Sequence, residues 1–316
     1  MKPLYLLLAL LPSFAVTAQK TQQFYDYQWK ETDVAHARFY SVLEHTDSGW
    51  RRLDYFLHGP TLQMAGLYED SSCKFPSGDF VYVYPNGNLE TKGRYLHHKK
   101  QGLWLTWHPN GMMADSAVYD NGNPVGTRLG WYANGYPSDS SVYNTDGSGV
   151  QVHWFDNGNP SSAGILASGS KKNGKWKFFH KNGMVSAIEL YDHGLLQQRQ
   201  YFDESGKPVL DTTNRDRQAE FKGGTSAWLK FLDKHLDFPA DYRIANSDEA
   251  AVVITMTVDE DGKVTDAYVS TPFYPPFEKM ALAAIRRSPS WEPAIDHNRR
   301  VSAVFTQPVV FQQRDY

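Results

Sequence analysis

Along most of the chain, apolar and polar positions alternate with a period of two, and the alternation stops at short turn signals. That pattern predicts half-buried β-strands, because successive side chains of a strand point to opposite faces. One phrase recurs: an aromatic-rich run ending in Asn-Gly. It reads WLTWHPNG at Trp104–Gly111, VYVYPNG at Val81–Gly87, GWYANG at Gly130–Gly135, VHWFDNG at Val152–Gly158 and WKFFHKNG at Trp176–Gly183. The turn asparagines Asn86, Asn110, Asn134, Asn157 and Asn182 lie 24, 24, 23 and 25 residues apart, which is a repeat of fixed period. Asn-Gly between such runs predicts type I′ hairpins, with φ > 0 at both central residues. Asn121-Gly122, Asp146-Gly147, Asn173-Gly174 and His193-Gly194 supply a second turn in each period. Two strands and two turns per period predict an up-and-down antiparallel β-meander, too tightly spaced for helical crossovers. Earlier strands are expected at 37–43, 50–57, 61–68, 79–84 and 89–96, and the array fades at Tyr201-Phe202-Asp203.

After Phe221 the periodicity changes. Trp228, Phe231, Leu232, His235 and Leu236 follow helical spacing over 226–236, with Ser226 as the expected cap. Val252, Ile254, Met256 and Val258 alternate along a strand, which turns at 259–262 into a second strand over 263–270. Pro275-Pro276 precedes a helix with Phe277, Met280, Ala281, Ala284 and Ile285 on one face, ending before Ser288-Pro289. A last strand is expected from Arg300 to Phe311. Between the two patterns, 211–220 (DTTNRDRQAE) has no apolar period and reads as a linker. The fold class is therefore mainly β with a C-terminal α+β domain: a single-layer meander of repeated hairpins, then a ββαβ unit led by a helix.

Composition changes this picture little. A charge of −3 over 316 residues predicts no nucleic-acid surface. The 9 Trp, 19 Tyr and 17 Phe suit a thin sheet held by rings. The single cysteine, Cys73, excludes an intrachain disulfide and a cysteine-based zinc site. The N-terminus adds more. Lys2, the apolar run 4–11, Pro12 and Val16-Thr17-Ala18 read as an export signal over 1–18, with cleavage before Gln19. Membrane association is expected only if that signal stays uncleaved. The organisation is then a signal peptide (1–18), an N-terminal segment (19–36), the array (37–210), the linker (211–220) and the C-terminal domain (221–316).

No chemistry-bearing motif stands out. Gly-x-Ser-x-Gly, His-Glu-x-x-His and a phosphate loop are absent, and Asp156 and Asp203 are turn residues. His97-His98-Lys99-Lys100 reads as a solvated basic turn with no third metal ligand in view. No catalytic residue, metal or cofactor is expected, and the chain is not read as an enzyme. The ring-rich face admits two readings: cross-strand ladders that hold a sheet with no second layer, or a stacking surface for glycan such as peptidoglycan.

Two resemblances follow from these residues. The repeats resemble the MORN-type and YwqK-like antitoxin repeats over 80–209. The pattern shows best in Gly102, Trp104, Trp107, Asn110, Gly111, Tyr119, Asp120 and Gly122, and again in Gly174, Trp176, Phe179, Asn182, Gly183, Tyr191, Asp192 and Gly194. This implies an extended single-layer sheet used as a scaffold. The C-terminal segment resembles the TonB C-terminal domain, on five phrases in order. These are Phe221–Gly224 (with Gly223 and Gly224), Phe238-Pro239, Val258–Val264 around Gly262, Ala281–Ser288, and Pro289–Ala294 with Trp291 and Pro293; Pro308 to Phe311 close the segment. The resemblance implies adaptor work in the Gram-negative envelope, tied to TonB-dependent transmembrane transport. It also implies binding of an envelope protein or receptor peptide by β-augmentation. On that analogy the docking strand carries Arg299, Arg300, Val301, Ala303, Phe305 and Gln307. The alternative is an ordinary strand that the two arginines blunt against unwanted pairing. TonB energy transducers carry a membrane helix and a Pro-rich spacer; here a β-repeat array stands in that place.

Overall fold

The computed structural model describes residues 21–58, 61–244 and 249–313. The export signal read at 1–18 lies outside them. Sixteen strands form one antiparallel sheet in strict sequence order, each paired only with its chain neighbours. They are β1 (Thr21–Tyr25), β2 (Phe39–Thr46), β3 (Gly49–Phe56), β4 (Leu62–Tyr68), β5 (Pro76–Val83), β6 (Leu89–Leu96), β7 (Lys99–Trp107), β8 (Met113–Asp120), β9 (Asn123–Trp131), β10 (Pro137–Tyr143), β11 (Gly149–Trp154), β12 (Pro160–Ala167), β13 (Lys171–Phe179), β14 (Val185–Asp192), β15 (Leu195–Phe202) and β16 (Pro208–Val209). The meander expected from the repeat is what forms, and it begins one strand earlier, at β1.

The turns differ from the expected type. In the five Asn-Gly turns only the glycine has φ > 0: Gly87 at 87°, Gly111 at 84°, Gly135 at 87°, Gly158 at 83° and Gly183 at 88°. The Gly87 N–H donates to Tyr84 O and the Tyr84 N–H to Asn88 O, both at 2.9 Å. That is a type I turn closed by a glycine bulge, not a type I′ turn. Pro85 and Pro109 carried the signal, because proline favours the second position of a type I turn. Type I′ geometry does occur on the opposite rim, at Asn121-Gly122 (50°, 88°), His193-Gly194 (47°, 90°) and His97-His98 (46°, 69°). Asn173-Gly174 is not a turn. It lies within β13, and the chain reverses at Gly169-Ser170 (73°, 57°).

The turn asparagines have a further task. Each Nδ2 donates to a backbone carbonyl of the next turn along the same rim: Asn86 to Pro109, Asn110 to Ala133, Asn134 to Asp156, Asn157 to Lys181 and Asn182 to Glu204, at 2.7–3.1 Å. Each Oδ1 accepts the N–H two residues on. A second ladder runs beside it. Tyr84 donates to Trp107 O, Tyr132 to Trp154 O, and the His108 and His180 rings bond Trp131 O and Phe202 O. Phe155 fills this position in one unit and has no polar group to continue the ladder.

Aromatic rings replace a second layer on one face. Trp104 and Trp176 are buried, as is Phe80. Trp176 lies over Gly164 so closely that a Cβ there would sit 2.2 Å from the ring; Gly93 stands to Trp104 in the same way. Their indoles donate to Arg94 O and Ile165 O. The rings are thus locked across strands, as a ladder requires.

The C-terminal domain contains α1 (Gly224–His235), β17 (Glu249–Val258), β18 (Val264–Thr271), α2 (Pro275–Arg286), β19 (Ala294–Asp296), β20 (Arg299–Val301) and β21 (Ala303–Gln312). The three long strands pair in the order β18-β17-β21, and β19 with β20 forms a separate hairpin. Its core joins Trp228, Leu232, Val252, Ile254, Met256, Phe277, Ile285, Trp291, Val309 and Phe311. Three expectations need correction. α1 starts at Gly224 after a left-handed Gly223, and Ser226 caps nothing. The strand expected from Arg300 is broken at Ser302, so Arg300 belongs to the hairpin. Within the stretch read as a linker, Arg217 and Glu220 bridge Ile295 and Glu292.

Candidate functional site

The domain sits on the ring-bearing face of the array. At one end the buried Arg38 donates Nε to Ala251 O at 3.2 Å, with its Cζ 4.4 Å from the Phe273 ring centroid. Tyr84 meets Tyr268 edge-on at 5.7 Å. At the other end the β19–β20 hairpin inserts its tip, His297-Asn298. Asn298 Nδ2 donates to Phe202 O at 2.9 Å and Ser186 O at 3.2 Å, and Ser186 donates back to His297 O. The His297 ring stacks on Phe178 at 3.7 Å. Lys181 joins Glu260 of the domain and Asp156 of the array, each at 2.7 Å. Strands β2 and β15 stand about 60 Å apart along a flat sheet, whereas a domain of this length is roughly 30 Å across. Reaching both requires the sheet to curl around the domain. Ala251 and Val253, on the face of β17 away from the core cluster, are buried in this seat.

The six strand residues named for docking divide accordingly. Arg299 is buried against the array, donating Nη1 to Ser161 O at 2.5 Å, with its Cζ 5.1 Å from Phe178 and 5.8 Å from Phe155. Arg300 pairs with Glu204 of the array at 2.6 Å, and Val301 pairs with Ala294. The two arginines fasten the domain to the array, and Val301 packs within the domain itself. Ala303 and Phe305 turn inward onto the domain core, and Gln307 accepts the Trp228 indole N–H at 2.8 Å.

What β21 offers outward is the other parity. Val304 is 70% exposed, and Thr306, Val310 and Gln312 are exposed with it. Among the described residues β21 pairs with β17 alone, in continuous register from Ala303 to Gln312. Pro308 lies in that register opposite Val253. A proline has no N–H to give a ladder, so its nitrogen belongs on the open side. With a period of two, the N–H and C=O of Val304, Thr306, Val310 and Gln312 face that side too. Ala303, Phe305 and Gln307, named from the sequence, are the opposite parity to these four; Pro308 is the residue that fixes which set faces the open side. Beside the C-terminal half of this edge, α1 and β21 wall a groove of about 800 Å³, lined by Leu229, Leu232, Leu236, Phe238, Pro308 and Val310.

The motif residues hold this shape. Gly262, at φ 78°, accepts the Trp291 N–H at 2.7 Å, and a Cβ there would lie 2.1 Å from Trp291 O. Trp291 packs on Phe221, Trp228 and Phe305 and donates to Ser288. Phe238 meets Phe277 edge-on, and Pro239 O accepts the Tyr242 N–H. Pro293 leads from Trp291 into β19.

Residues 234–312 match the family model of the Gram-negative bacterial TonB protein C-terminal. The C-terminal domain is thus similar to the C-terminal domain of Gram-negative bacterial TonB proteins, over a minority of the chain. Residues 172–193 match the MORN repeat variant, which covers β13, its Asn182-Gly183 turn and β14. No curated protein sequence matches the chain.

Elsewhere the described residues hold no group of three or more His, Cys, Asp or Glu placed to bind a metal, and no helix long and apolar enough to cross a membrane. Cys73 is half-buried, and burial pushes its thiol pKa up. The stacking-surface reading of the rings loses its motive, because Trp104 and Trp176 are interlocked with glycines and Phe178 lies under the hairpin tip.

Proposed function

We propose that the protein is an exported envelope adaptor that binds rather than reacts. Its TonB-type domain takes a partner segment, such as an outer-membrane receptor peptide, as an added strand on β21, and the array serves as scaffold. The observation that carries this reading is the ten-residue β21 with one side unpaired among the described residues and a groove alongside. Main-chain bonds to Val304 and Thr306 would supply affinity, and the groove walls would select side chains. Pro308 interrupts the donor row, so the added strand would hold best over residues 303–307. Titration of the full-length protein with synthetic peptides from the N-terminal segments of outer-membrane receptor plugs tests this. Thr306→Pro removes one outward N–H and leaves the β17 ladder, so it should abolish binding while the fold persists. Equal binding by that variant, or no binding by any receptor peptide, would defeat the proposal.

A further inference from the structure

Between the sheet and the domain lies a second, polar cavity of about 710 Å³, which reaches the edge strand only at its start, Ala303 and Val304. Array residues Arg128, His153, Phe155, Lys172 and Phe178 wall it on one side, and Asp296, Arg299 and Val304 on the other. Two of its cations have no acid of their own. Among the described residues, neither Lys172 nor Arg299 has a carboxylate oxygen within 4.0 Å. Arg299 is only 7% exposed, and its Nε has no hydrogen-bond partner. Lys172 Nζ lies 4.7 Å from the Phe178 ring centroid, the ring that also carries Arg299, and donates to His297 Nε2 at 2.9 Å.

Two of the acids lining the cavity are committed. Glu260 is held by Lys181 at 2.7 Å and Asp139 by His153 at 3.1 Å, while Asp296 is half-exposed to solvent at the rim, with His297 Nε2, the acceptor of Lys172, 3.6 Å away. Arg128 is neutralised by Asp115 at 2.8 Å. Burial pulls the Arg299 pKa down to about 10 and lowers that of Lys172, outweighing the more distant carboxylates of Asp296 and Glu189, which favour the charged form of both. A buried donor left unmade costs more than one never present, so the site is built for an acceptor.

The geometry points to a binding site for a carboxylate carried on a small organic body, held by Arg299 and Lys172 in the cavity between the array and the TonB-type domain. A guanidinium presents its donors in a plane that matches a carboxylate, and its Nη1 is already spent on Ser161. The aromatic walls suit the organic body, and the volume falls in the range of small-molecule sites.

Calorimetric titration of the full-length protein tests it with two probes: citrate, for a free small acid, and acetylated, amidated Gly-Asp-Gly, for an acidic side chain of a protein. At least one should bind and raise the melting temperature at constant ionic strength. Arg299→Gln and Lys172→Gln should each weaken that binding by at least about tenfold, the loss expected of one charge-assisted bond. Arg300→Gln, on the exposed pair with Glu204, should leave it unchanged and controls for a loosened seat. Citrate alone binding assigns the site to a free acid; the peptide alone assigns it to a partner's acidic residue. No heat from either probe, displacement by equimolar chloride, or unchanged affinity in both glutamine variants would overturn the site.

Discussion

The array and the TonB-type domain solve the same problem in opposite ways. The domain closes a core of seventeen buried residues drawn from both helices and most of its strands, so each side chain is held by partners distant in sequence. The array has no such centre. Its largest cluster joins six buried residues from β10 to β15, and each strand answers only to its neighbours. Ladders of asparagine, tyrosine and histidine along one rim, and rings over glycines on one face, do what a second layer does elsewhere. Stability in the array should therefore be local, and in the domain collective.

The largest effect that tests this is truncation of one large buried side chain in each. Trp104→Ala should cost about 3–5 kcal/mol, and Ile285→Ala in the domain about 2–5 kcal/mol. The difference lies in where the loss appears. By amide hydrogen exchange, Trp104→Ala should strip protection from β6–β8 and spare β17, whereas Ile285→Ala should lower every protected amide of the domain together. Uniform loss from Trp104→Ala would show that the two regions share one cooperative unit and end the contrast.

Glycines sharpen the comparison at smaller scale. Gly87 and Gly262 have similar φ, 87° and 78°. A Cβ on Gly87 meets nothing within 4 Å, while one on Gly262 strikes the Trp291 carbonyl. Gly87→Ala should cost about 1–2 kcal/mol, the backbone penalty alone. Gly262→Ala should cost more, about 1–3 kcal/mol for displacing a packed backbone in addition. Equal shifts in urea midpoint would mean that the Gly262–Trp291 contact relaxes freely.

These contrasts explain what was legible in the sequence. The repeat announced itself because every unit meets the same local need, so the strand order followed from spacing, while β1 and the reversal at Gly169-Ser170 did not. The turn type did not, since Asn-Gly serves two geometries; Pro85 and Pro109 decided between them. The domain's core face was readable from period, as Phe277, Ala281, Ala284 and Ile285 show. The break at Ser302 was not, because Arg299 and Arg300 read as strand residues until the array that receives them is in place. No local pattern reports that one face of a sheet will curl around a domain more than a hundred residues away. For the same reason the pairing of Arg299 with Lys172 at one cavity had no signal.

Each rim asparagine carries two jobs, and a substitution pair separates them. Asn182→Asp keeps the Oδ1 that accepts the Met184 N–H and loses the donor to Glu204 O. Asn182→Ala loses both. One net hydrogen bond is worth about 0.5–1.5 kcal/mol, so the alanine variant should fall roughly twice as far as the aspartate variant in denaturant midpoint. Identical losses would mean that the link between neighbouring turns, and not the turn itself, is the part that matters.

The smallest effect lies where the two regions meet. Glu189 of β14 is buried and accepts from His297 Nδ1 at 2.9 Å and from the Tyr191 hydroxyl at 2.5 Å. Lys172 donates to the other ring nitrogen, so the imidazole carries its proton on Nδ1. Burial pushes the Glu189 carboxyl pKa up, but the bonds from His297 and Tyr191 outweigh it and hold the group below its ordinary value. The unfolded chain then binds the proton more readily than the folded one. The contribution of Glu189 is complete above the unfolded value of about 4.3 and is lost as the pH falls through the lower folded value. Glu189 is one of several contacts at the seat, so the domain should loosen from the array before either region unfolds. Glu189→Gln keeps the shape and removes the titration. In acid, wild type should lose exchange protection at Ser186 and Phe202, next to the hairpin tip, and the glutamine variant should show no such pH dependence. The same acid profile in both proteins would place the sensitivity at some other carboxylate and leave the hairpin seat indifferent to protons.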